Sequence, residues 1–137
     1  MRYEKFVSCK ELLDKVHKRL KILPLLLSED DYSDVVREAQ EIVELALKGM
    51  LRQIGIEPPK WHDVGQLILE YRTRFPDEVS SQAEKLAGIS AWLRKEREFS
   101  FYGELDFIPT EQYSKDDAQR AIDDAMFAVQ MADLTIK

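Results

Sequence analysis

Cysteine is almost missing from this chain: Cys9 is the only one in 137 residues. One thiol cannot close an intrachain disulfide or build a four-cysteine zinc site, and it fits a reducing compartment. Histidine is nearly as scarce, with only His17 and His62. The two fall on different predicted helices without ligand spacing, so neither a metal site nor a cofactor is expected. Glycine and proline number 5 each, too few for the many tight turns of an all-β fold. No apolar run approaches the ~20 residues that span a bilayer. The opening Met1-Arg2-Tyr3-Glu4-Lys5 lacks the apolar core of a signal peptide. A cytoplasmic protein without membrane contact is expected. A basic surplus is missing too: the formal net charge is -6. Any phosphate binding must therefore come from a local cluster of Arg and Lys. No Gly-x-Ser-x-Gly turn supports a Ser-His-Asp triad.

What is present is helical. Hydrophobic residues make up 45% and charged residues 34%, which describes one globular domain over 1–137 with a densely charged surface. Ser8-Cys9-Lys10-Glu11 has the form of a capping box and opens a first helix through Leu12, Leu13, Val16, Leu20 and Leu23. Pro24 should kink or end it. The acidic break Ser28-Glu29-Asp30-Asp31 follows. A second helix carries Val35, Val36, Ala39, Ile42, Val43, Ala46, Leu47, Met50, Leu51 and Ile54 as one broad stripe, ended by Gly55 and the stiff Pro58-Pro59 loop. A shorter third helix is predicted from near His62 to about Arg74, closed by Pro76. A fourth is predicted from about Asp77 to Phe101, with Val79, Ala83, Leu86, Ile89 or Ser90, and Leu93 inward. Ser114-Lys115-Asp116-Asp117 caps a last helix with a narrow small-residue face. The fold class is all-α, an up-and-down bundle of four to five helices with short loops.

Three places could carry chemistry. Gln40, Glu44 and Lys48 recur every four residues beside the second stripe. They are either a solvated edge with one ion pair or a polar seam lining a groove. His62-Asp63 stands at a helix start, where Asp63 can accept backbone N–H bonds as a cap. At the end of the fourth helix the inward stripe changes from Leu93 to Arg97, and Arg94 shares that face at i, i+3. A guanidinium at the edge of a core needs a carboxylate, a carbonyl or a phosphate. Glu96, Glu98 and Glu104 are local partners, and Tyr102 adds a hydroxyl and a ring. The alternatives are an Arg–Glu lattice stitching helices or a dimer, and a phosphate or nucleotide site.

In order, Arg37-Glu38-Ala39-Gln40-Glu41-Ile42-Val43-Glu44-Leu45-Ala46-Leu47-Lys48, then His62-Asp63-Val64, then Leu93 to Tyr102-Gly103, then the helix from Asp116 resemble HEPN domains. The resemblance implies a dimerising helical bundle, in many cases paired with a minimal nucleotidyltransferase as a toxin–antitoxin system. It also implies, for many members, a metal-independent ribonuclease with Arg, four to six residues, then His at the end of the fourth helix. Here no His follows residue 62, and Tyr102 follows Arg97 after four residues. A neutral tyrosine, with a pKa of about 10, is a poor general base. The expected function is therefore binding of a nucleotide, RNA or a nucleotidyltransferase partner, through Arg94, Arg97, Tyr102, Lys48, Gln40 and His62. The alternatives are a degenerate endoribonuclease using Arg97 with Tyr102, and a structural interaction module. The wide second and fourth stripes also predict a homodimer.

Overall fold

The computed structural model describes residues 8–58, 60, 63–101 and 113–137, with residues 97–101 described by their backbone alone. All of the described elements are helical: α1 (Cys9–Leu20), α2 (Leu23–Ser28), α3 (Tyr32–Gln53), α4 (Val64–Glu70), a 3-10 turn (Arg72–Arg74), α5 (Asp77–Ser80), α6 (Ala83–Phe101) and α7 (Lys115–Thr135). Helix α3 is the axis of the bundle and packs against α1, α2, α4, α6 and α7. Its predicted stripe from Val35 to Leu51 is buried throughout, with Ile54 packed at its margin. Its most extensive neighbour is α7. That helix offers Ala118, Ala121, Ala125, Ala128 and Ala132, all buried, and such small side chains let two backbones approach closely.

The helix ends follow local chemistry. The Ser8 hydroxyl accepts from Glu11 N at 3.1 Å and opens α1. At α7 both arms of the capping box close: Ser114 Oγ accepts from Asp117 N, and Asp117 Oδ2 accepts from Ser114 N at 2.9 Å. Pro24 falls in the first turn of α2, where its missing N–H has no helical acceptor to lose. Helix α3 ends in a Schellman motif, with Gly55 N donating to Arg52 O and Ile56 N to Leu51 O. Gly55 has φ 88°, a left-handed conformation that a Cβ disfavours. Gly55→Ala should cost about 1 kcal/mol, read as a lower denaturation midpoint at unchanged m-value. A second Schellman turn ends α2, with Asp30 N donating to Leu27 O and Asp31 N to Leu26 O. Here a non-glycine, Asp30 at φ 58°, takes the left-handed position, which aspartate tolerates better than most. The acidic break is thus a helix stop.

Three predicted helices are shorter than their apolar patterns. The first ends at Leu20, at a turn through Lys21 and Ile22 that comes before Pro24, and Leu23 opens α2 instead. The third stops at Glu70 and tightens into the 3-10 turn. Phe75, buried and held extended at ψ 160° before Pro76, takes the chain out of the helix. The fourth is two helices, because Ser81 and Gln82 form a turn between α5 and α6. Ser81 Oγ donates to Glu78 O at 3.1 Å, a local bond that competes with the helical ladder.

The α4–α6 crossing is tight at Gly65. A Cβ built there would meet Ser90 Cβ at 2.9 Å and Ala87 Cα at 3.2 Å. Ser90 is 2% exposed, and its hydroxyl has no hydrogen-bond partner among the described residues. Both Ile89 and Ser90 are inward. Across this crossing α6 is aligned so that its next turn carries Leu93 into the core and Arg94 toward α3.

Candidate functional site

The site is built from the inside of α3 outward. A turn of 3.6 residues places Gln40, Glu44 and Lys48 in one row along the edge of the apolar stripe. The row is not a solvated edge. Gln40 is 4% exposed and Glu44 has a side chain 18% exposed. Gln40 Nε2 donates to Glu44 Oε1 at 3.3 Å, and Lys48 Nζ lies 3.9 Å from Glu44 Oε2. From the facing helix α6, Arg94 NH1 reaches Glu44 Oε1 at 3.5 Å. Three of the predicted residues, Gln40, Lys48 and Arg94, are therefore brought together, and the Glu44 carboxylate is the group they share. Sequence reasoning placed Glu44 in the row but did not name it as a binding residue. The signal was there in its position midway between Gln40 and Lys48.

The partner of Arg94 comes from another helix. Glu44, 50 positions earlier in the chain, accepts from Arg94; whether Glu98 or Glu104 partners Arg97 falls outside the described residues. The geometry is loose for a charge-assisted bond, which normally closes to about 2.7–2.9 Å. Arg19 supplies the contrast. Its Nε donates to Glu38 Oε1 at 2.6 Å, and its NH2 lies 3.5 Å from Glu41 Oε2. The Glu38 hydrogen bond raises the Arg19 pKa above the ordinary guanidinium value, and burial acts against it. Arg19 is a closed clamp between α1 and α3. Arg94, about one-third exposed, is held beside Glu44 but only lightly engaged.

The rest of the α6 end is fixed from the other side. Trp92 Nε1 donates to Asp124 Oδ2 at 2.8 Å, and the Arg120 guanidinium lies 4.1 Å from the Trp92 ring centroid. This locks the rotation of α6 against α7. Tyr113 is buried and its hydroxyl donates to Glu96 O at 3.2 Å, tying the start of α7 to the last turns of α6. Asp63 caps α4 as expected, accepting from Gly65 N at 2.9 Å. His62, Tyr102 and Glu104 lie outside the described residues, as do the side chains of Arg97, Glu98, Phe99 and Phe101.

An open groove of about 500 Å³ lies elsewhere, between α1, α6 and α7, lined by residues such as His17, Leu20, Lys85 and Phe127. It contains none of the candidate residues. His17 pairs there with Asp133 at 2.7 Å. Among the described residues no His, Cys, Asp and Glu group could hold a metal ion. None of the described helices is long and apolar enough to cross a membrane.

A family model for the HEPN domain matches residues 9–133, nearly the whole chain. The chain belongs to the HEPN domain family. Comparison with curated proteins and with solved structures gives no match.

Proposed function

We propose that this HEPN protein binds RNA or a nucleotide through phosphate, at the seam where α3 faces α6. The carrying observation is that Arg94 and Lys48, from two different helices, converge on the single half-buried carboxylate of Glu44 at 3.5 and 3.9 Å. Among the described side chains, two cations stand around one anion there, in a protein of net charge -6. Such a local excess is what phosphate recognition needs in an acidic chain. Gln40 adds an amide to the same row. Binding does not require cleavage, because no histidine follows Arg97. Pairing with a nucleotidyltransferase, a toxin–antitoxin role and a homodimer that brings two seams together are compatible with it.

The test is fluorescence anisotropy with a labelled single-stranded RNA and with ATP. Arg94→Ala should weaken binding about tenfold, the loss of one charge-assisted contact. The slope of log K against log salt should fall by about one unit. Arg94 is partly exposed, so its thermal midpoint should barely move. Negligible binding of both ligands by wild type and Arg94→Ala would remove the reading and leave a partner protein as the ligand. RNA cleavage that disappears in Arg97→Ala would move the protein to the ribonucleases.

A further inference from the structure

The described residues leave four large apolar side chains exposed: Ile22, Leu25, Met126 and Leu134. They are not scattered. Ile22 and Leu25 stand at the junction of α1 and α2, and Met126 and Leu134 stand on α7. Lys21 and Ile22 keep helical angles between α1 and α2, with φ -67° and -78°, so the helical period runs across the junction. Lys18, Lys21, Ile22 and Leu25 therefore share one exposed face at i, i+3, i+4 and i+7, opposite the buried Val16 and Leu23. On α7, Asp123, Met126, Gln130 and Leu134 form a second exposed face at i, i+3, i+7 and i+11, opposite the buried Ala121, Ala125 and Ala132. Isolated exposed apolar residues are ordinary, but two such faces with ordered charge beside them are not.

The two faces are opposite in charge. Between positions 15 and 28 the chain carries Lys15, Lys18, Arg19 and Lys21 and no Asp or Glu. Arg19 is closed on Glu38, which leaves the lysines to the surface. The α7 face carries Asp123, which accepts from the neutral Gln119 amide at 3.0 Å and keeps its charge, and Asp133 at its far end. The faces also lie side by side. His17 Nε2 and Asp133 Oδ1, 2.7 Å apart, join α1 to α7, and Leu20 shares the groove of about 500 Å³ with Met126. The two helices therefore run antiparallel. A two-fold axis across them would set α1 of one chain parallel to α7 of another, with Lys21–Leu25 and Asp123–Met126 in step, one helical turn each. We propose that these faces form a self-association surface for a second copy of this chain, with Lys21 meeting Asp123 of the partner subunit and Leu25 packing on the partner's Met126. An anionic membrane would attract the lysines and repel the carboxylates beside them, whereas a second copy satisfies both. One helix face is small against the roughly 800 Å² per partner of a stable interface, and the two-fold arrangement makes the contact twice. The surface shares no residue with the Gln40, Glu44, Lys48 and Arg94 seam and does not depend on the phosphate reading.

The test is sedimentation equilibrium on the full chain. Wild type should self-associate reversibly at concentrations up to about 100 μM, and added salt should weaken the association. Leu25→Asp should weaken it at least about tenfold. Lys21→Glu and Asp123→Lys should each weaken it about tenfold, because the two-fold axis places every substitution in two contacts. Together they should restore affinity to within about threefold of wild type. Rescue is what two facing charges give and what a folding defect does not, and circular dichroism checks that each variant is folded. Wild type that stays monomeric overturns the proposal. Monomeric wild type that instead sediments with anionic vesicles, and no longer does so as Lys21→Glu, gives the face to a lipid surface. Variants that associate as wild type does, or a double variant no tighter than the single ones, also overturn the pairing of these two faces.

Discussion

Leu93→Ala should lower the unfolding free energy by about 3 kcal/mol and the thermal midpoint by about 10 °C. Leu93 is fully buried in the main core cluster, on the turn of α6 where the stripe passes from apolar to charged. Removing its isobutyl group loses transfer free energy and leaves a cavity that packed helices only partly close. The adjacent Arg94→Ala should do the reverse. Its partner distance of 3.5 Å and its partial exposure limit the stability change to less than about 1 kcal/mol, while binding suffers. Paired melts and RNA titrations on the two variants separate the helix's packing role from its recognition role. A midpoint drop of only about 2 °C for Leu93→Ala would mean that this turn of α6 is not packed into the core.

Much of this architecture was legible because its signals are local. The α3 stripe needs only the 3.6-residue period, and all of its positions from Val35 to Leu51 are buried. Ser114, Asp63 and Gly55 announce helix ends through chemistry confined to three or four residues. The turn at Ser81 and Gln82 was not legible, since neither glycine nor proline marks it. It depends on a serine hydroxyl choosing a carbonyl over solvent. The candidate site was half legible. Periodicity puts Gln40, Glu44 and Lys48 in a row, and Arg94 stands out as charge at the end of an apolar helix. That Arg94 answers Glu44 is a tertiary fact, set by how α6 lies on α3. Sequence proximity offered only Glu96, Glu98 and Glu104 as partners for the guanidinium at the core edge, and no local signal points to Glu44.

Gly65→Ala should cost about 2 kcal/mol and weaken RNA binding, although the added methyl would meet Ser90 and Ala87 and not Arg94 itself. The added methyl would stand 2.9 Å from Ser90 Cβ and 3.2 Å from Ala87 Cα, neither of which is the far end of a flexible side chain. The clash can be relieved only by moving α4 away from α6. Ser90 lies one turn before Arg94, so a displacement of α6 lengthens a contact with Glu44 that is already loose. The change reaches the site through the helix axis. Ser90→Gly removes the Cβ that the added methyl would strike, at its own cost of roughly 1 kcal/mol for a glycine inside a helix. In the double variant the two losses should therefore sum to less than their separate values, by about 1 kcal/mol or more. Strict additivity in melts would place the strain elsewhere. Recovery of RNA affinity in the double variant would tie the seam's geometry to the α4–α6 crossing.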